Sequence, residues 1–157
     1  MNSTPQPAAA ALPGGPLATA IGWLERIPYS LIALIARLAA FEVFWRSGSV
    51  KLDDWAGTLS LFESEYKLPL VPPHIAAYMA AGLELGGAVL IAVGLGTRLV
   101  ALAYLGMIAV IQIFVYPEAW PTHLQWVAFL LLLLARGPGS VSIDALIGRW
   151  LTRRPAS

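Results

Sequence analysis

The sequence predicts an all-α protein built as a four-helix transmembrane bundle, with a short interfacial amphipathic helix in the first loop. Three observations lead there. Of the 157 residues, 58% are hydrophobic and only 12% are Asp, Glu, Lys or Arg, about half the roughly 25% charged content of a soluble globular domain. The mean hydropathy is +0.71. Four apolar segments approach the roughly 20 residues that a helix needs to cross a bilayer.

Taken in order, residues 1–16 are Pro- and Ala-rich and read as a disordered tail. Residues 17–27, LATAIGWLERI, form a short amphipathic piece for the inner interface, with Trp23 as anchor. The first positive charge is Arg26, so no basic region precedes an apolar run as in a secretory signal. The first span covers about 28–47, with Pro28 at a tolerated first-turn position. In the first loop Trp55, Leu59, Phe62 and Tyr66 recur at helical spacing, one apolar stripe on a short helix. That helix either covers the mouth of the bundle or forms a lid over a ligand site. The second span, about 74–94, starts after Pro72-Pro73; the third covers about 99–116 and stops before Pro117. The fourth, about 121–136, is the shortest and ends at Arg136-Gly137-Pro138-Gly139. Residues 28–146 are thus the membrane domain, and 147–157 a basic tail facing anionic headgroups.

Lys and Arg are retained on the cytoplasmic side of short loops. Arg26, Arg98, Arg136, Arg149, Arg153 and Arg154 fall on one side; Lys51 and Lys67, balanced by Asp53, Asp54, Glu63 and Glu65, fall on the other. Both termini are therefore expected in the cytoplasm. A net charge of +1 gives no field to attract nucleic acid. The absence of cysteine removes disulfides, thiol relays and cysteine-held iron–sulfur clusters.

The charged residues inside the spans carry the functional reading, because ionisable groups within a membrane mark sites by default. Arg37 lies nine residues after Pro28 and Glu84 ten after His74, which places both about 14–15 Å from their starting faces at 1.5 Å per residue. They are expected to pair. Glu42 and Arg46, at i and i+4, form a local pair on another face. With His74, Gln112 and His123 they make an outer polar layer, either water-satisfied interface residues or a pocket for a polar head group. Two histidines without Cys or Met support argue against a metal or haem site, and none is assigned. Gly82, Gly86, Gly87 and Gly94 read as packing residues.

Arg37, Phe44, Ser47-Gly48 and Lys51, followed by Glu84-Leu85-Gly86-Gly87, Gly94-Leu95-Gly96-Thr97-Arg98 and the closing LLLLARGPGSVSID, resemble the DoxX family of small four-helix membrane proteins over about residues 30–146. The resemblance implies a bundle in the cytoplasmic (inner) membrane of a bacterium with both ends inside. Other DoxX-like proteins are associated with thiosulfate:quinone oxidoreductase and further membrane redox complexes, or with cargo and assembly roles. The first expectation is a quinone-interacting subunit whose outer polar layer receives the quinone head: a quinone carbonyl needs hydrogen-bond donors and its reduction needs protons, so Arg46, His74 and His123 would donate while Glu42 relays. Electrons would come from a partner or soluble substrate, since the chain holds no redox centre. Glu42 and Arg46 stand where the family pattern is apolar. The rival expectation is a non-catalytic scaffold or assembly factor that docks a protein partner or a second copy; small-solute transport is a third. Whether the chain is an enzyme stays open.

Overall fold

Small residues, not large ones, set the distances between the helices. Ala33, Ala36 and Ala40 form one buried line on the first long helix, and Ala77, Ala81 and Ala88 another on the helix packed against it. Leu31, Ile35 and Leu38 on the same first helix are exposed. This arrangement suits a protein dissolved in lipid: hydrocarbon solvates Leu and Ile as well as a protein core does, so close backbone approach at small residues becomes the packing force.

The computed structural model describes residues 15–66 and 69–152. Within them lie seven α-helices: α1 (Pro16–Leu24), α2 (Tyr29–Asp53), α3 (Trp55–Leu61), α4 (Pro73–Val93), α5 (Thr97–Phe114), α6 (Trp120–Arg136) and α7 (Ile143–Thr152). No strand occurs among the described residues. The expected disordered tail falls outside them up to residue 14, as do Lys67, Arg153 and Arg154. Helices α2, α4, α5 and α6 form the bundle, α2 lying against α4 and α6, and α5 against α4 and α6.

Helices α4 and α5 are each long and apolar enough to cross a membrane, and α1 with α2, bent by 60° between them, qualify together as a third such element. The protein is therefore a multi-pass membrane protein. The bend sits where Pro28, in extended conformation, precedes α2. Helix α6 has 17 residues, at the short end of the spanning range. It nonetheless returns the chain to the end where α2 begins: Tyr29 Oη donates to the Gly137 carbonyl at 2.6 Å, and the Ser30 and Ser140 hydroxyls are 2.7 Å apart.

The first loop folds onto the bundle. Asp54 caps α3 by accepting from the Gly57 N–H at 2.9 Å, which satisfies one of the orphan donors of a helix start. After α3 the chain widens into a π-turn, Phe62–Tyr66. Phe62 is buried with Ala76 and Ala77 of α4, and Trp55, Leu59 and Tyr66 pack against them, so the expected apolar stripe faces protein. Deeper in, Phe44 and Tyr104 stack at 3.6 Å between ring centroids, with Ile91, Leu130 and Leu133 completing the core.

Candidate functional site

On α2, Ser47, Gly48 and Lys51 form the wall that meets α4. Ser47 and Lys51 share a face because they are four residues apart. Gly48 is needed between them: a methyl group there would lie 2.7 Å from Leu85 Cγ and 3.1 Å from Glu84 Cβ. With no side chain in the way, Lys51 reaches across to Glu84, its Nζ 2.9 Å from Oε1 and 2.8 Å from Oε2. Ser47 Oγ donates to Glu84 Oε1 at 3.1 Å and stands 3.1 Å from Lys51 Nζ. Glu84 Oε2 is buried, with the lysine contact but no directed hydrogen bond. Behind the carboxylate, Tyr104 Oη donates to the Glu84 backbone carbonyl at 3.0 Å. Gly87 makes room for that phenol, since a methyl there would lie 2.7 Å from Tyr104 Oη.

This cluster forms one side of a cavity of about 720 Å³ between α2, α4, α5 and α6. Phe62 and Tyr66 of the π-turn line it too, so the docked loop helps to close it. The walls are mainly aliphatic and aromatic. Met79 of α4 and Gly106 and Val110 of α5 line it while being exposed, so the cavity opens between those two helices.

His123 supplies the opposing polar group. Gln112 spends its amide N–H on the Pro117 carbonyl at 2.7 Å and turns Oε1 toward His123 Nδ1, also 2.7 Å away. A carbonyl oxygen only accepts, so Nδ1 carries the proton and Nε2 of the neutral ring is the acceptor. Tyr116 and Tyr66, both lining the cavity, meet edge to face at 5.6 Å. Tyr116 Oη donates to Glu65 Oε2 at 3.3 Å. Burial, and next the neighbouring Tyr116, push the Tyr66 phenol above its ordinary range.

Two expectations need correction. Arg37 does not pair with Glu84. Its guanidinium is buried among backbone carbonyls: Nε donates to Ile91 at 2.9 Å, Nη2 to Ala92, and Nη1 to Pro138 at 3.2 Å and Val141 at 2.5 Å. These are end carbonyls of α4 and of the turn after α6, where a cation also meets the negative end of the α4 dipole. The shared-depth estimate failed because α2 continues past the end of α4. Arg37 is level with Ile91, and the ten residues from Arg37 to Ser47, about 15 Å of helix, separate it from the level of Glu84.

The second correction concerns the outer polar layer, which is not one site. Gln112 and His123 come together at the cavity, but Glu42, Arg46 and His74 are exposed and line none of it. Glu42 and Arg46 form no ion pair; Lys51–Glu84 is the one ion pair among the described residues.

The model of the DoxX family matches residues 32–117, more than half of the 157. The chain belongs to the DoxX family. The matched segment holds the Arg37-to-Lys51 and Glu84-to-Arg98 motifs and stops before LLLLARGPGSVSID. Neither the curated proteins nor the solved structures include a match. In this DoxX protein Arg98 reaches the Ala135 carbonyl at 3.3 Å, and nothing lies within 4 Å of where a methyl on Gly86 would sit, so Gly86 packs loosely where Gly87 is tight. No group of three or more His, Asp or Glu side chains suited to a metal occurs among the described residues. Lys51 and Ser47 entered the sequence reading only as motif positions; their i, i+4 spacing was the available signal for a shared face. Tyr66 was legible as the last member of the first-loop stripe, whereas Tyr116 gave no signal beyond aromatic identity.

Proposed function

We propose that this DoxX protein binds a quinone in the cavity between α2, α4, α5 and α6, as a quinone-interacting subunit of a membrane redox complex in a bacterial inner membrane. What supports the reading is one arrangement: an apolar cavity of about 720 Å³ that opens between α4 and α5 and carries few polar groups, with Lys51, Ser47 and Glu84 on one side and His123 on another. Ligand pockets have this make-up, largely apolar with a small number of placed polar groups.

The residues fit such a ligand. Lys51 offers a donor to a carbonyl oxygen and the Tyr66 phenol a further one, while Ser47, its O–H given to Glu84, holds the carboxylate in place. His123 Nε2 and Glu84 Oε2 hold proton-accepting positions, each oriented from behind by Gln112 or Lys51. When bound, a quinone supplies two-electron, two-proton redox chemistry, with electrons arriving from a partner. Gly106, open on α5, leaves space for an apolar tail to reach the lipid.

The test is the quinone content of protein purified from native membranes. The expected result is bound quinone whose occupancy falls in His123→Phe and Tyr66→Phe while membrane abundance holds. Unchanged occupancy in both variants, or no quinone in the wild-type protein, overturns the reading. A non-catalytic scaffold is the second reading, favoured by Glu42 and Arg46, which present charge on an exposed face of α2 beside lipid-facing Trp45. Intramembrane charges turned outward are costly unless a partner covers them. A protein that co-purifies with the wild type and is lost in Glu42→Leu/Arg46→Leu supports that role.

A further inference from the structure

At the opposite end of the bundle a hollow of about 560 Å³ lies between the start of α2, the start of α5 and the turn leading to α7. The cavity reading does not use it. We infer that this hollow binds the phosphate of an anionic phospholipid through Arg98 and Arg136.

Both guanidiniums line the hollow and are held in place. Arg98 donates to the Ala135 carbonyl at 3.3 Å, and Arg136 lies 4.4 Å over the Tyr29 ring. Tyr29 cannot turn away, because its hydroxyl is bonded to the Gly137 carbonyl. Arg149 does not line the hollow but donates to the carbonyl of Ser140, at its edge, at 3.2 Å. None of the three forms an ion pair with a carboxylate among the described residues. Asp144 also lines the hollow, but its Oδ1 and Oδ2 accept from the Gly96 and Thr97 N–H groups at 2.8 and 3.0 Å. Both carboxylate oxygens are thus turned to the start of α5 rather than to Arg98 or Arg136, which make no ion pair with Asp144. Arginine pairs stably with phosphate through its planar fork of donors.

The surroundings decide for a lipid over a free anion. Leu99, on the lip of the hollow, is 75% exposed. Leu146, Ile147, Trp150 and Leu151 of the adjoining α7 are exposed as well, an apolar face suited to lie among acyl chains at the interface. A headgroup in the hollow would place its chains along these side chains, where soluble phosphate gains nothing.

The experiment uses the full chain in phosphatidylcholine-containing micelles, with added phosphatidylglycerol in one arm and the same concentration of inorganic phosphate in another. Retained lipid is read by native mass spectrometry and thermal stability by loss of helical circular dichroism. The wild type is expected to retain phosphatidylglycerol several-fold over phosphatidylcholine and to melt higher with it. R98Q/R136Q is expected to lose that preference while keeping its helical content. Should the double variant fail to accumulate, R98Q and R136Q singly, each with a reduced preference, carry the same test. Equal retention of the two lipids by the wild type, an undiminished preference in the variants, or equal stabilisation by inorganic phosphate overturns the inference. Quinone occupancy plays no part in the readout.

Discussion

Glu84 and Lys51 have side-chain exposures of 4% and 14%, so each is the main answer to the other's charge. Removing one partner of a buried pair leaves an uncompensated charge and destabilises by about 3–5 kcal/mol, whereas removing both is often close to neutral. Glu84→Gln and Lys51→Met are therefore each expected to lower thermal stability in detergent markedly, and the double variant to recover most of the loss. Arg37 is a different case. Four carbonyls accept from its guanidinium, and leaving buried acceptors unpaired costs about 1–3 kcal/mol each. Arg37→Ala is expected to reduce membrane abundance, and adding Glu84→Ala to deepen the loss. Recovery in that double variant would contradict the contacts described for both residues. Arg37→Lys keeps the charge but has no planar fork to reach carbonyls on two segments, and should rescue only in part.

At the scale of the helices, close approach is purchased with glycine and alanine, and the consequences differ by position. Gly94 ends α4 with φ of 72°, and a methyl there would lie 2.5 Å from Ser142 Cβ. Gly94→Ala therefore combines left-handed strain, about 1 kcal/mol or more, with a clash against the turn that holds Arg37. A lower melting temperature than wild type checks this. Gly106 faces open space at the gap between α4 and α5. Gly106→Trp should leave stability within about 0.5 kcal/mol, as for substitutions clear of packed features, yet slow the exchange of cavity-bound quinone with the membrane pool. Unaltered exchange would place the entry route elsewhere.

For the whole molecule, the Tyr29–Gly137 and Ser30–Ser140 contacts bring the start of α2 and the end of α6 to one end of the bundle. Arg98, Arg136 and Arg149 gather at that same end, around the hollow and its Ser140 edge, which by the bias of basic residues is proposed to face the cytoplasm. The chain has no cysteine, so single introduced cysteines report without background. Ser140→Cys is expected to react with a membrane-impermeant maleimide only after the membrane is opened, and Ser64→Cys in intact cells. The reverse pattern would invert the orientation.

Hydropathy and periodicity are local properties, which is why the sequence by itself determined an all-α membrane bundle and the amphipathic first loop; short motifs carried the family, and the run of small residues the packing role of Gly87. The Gln112–His123 link was legible only as two polar residues of similar depth. Which charge meets which was decided by tertiary structure, because it depends on the vertical offset between α2 and α4 and on how each helix is rotated. That offset follows from Gly48 seating on Glu84 and Leu85, and from α2 running past the end of α4 to the turn after α6. It gives Glu84 to Lys51 and Arg37 to the helix-end carbonyls. The rotation of α2 and α4 turns Glu42, Arg46 and His74 outward.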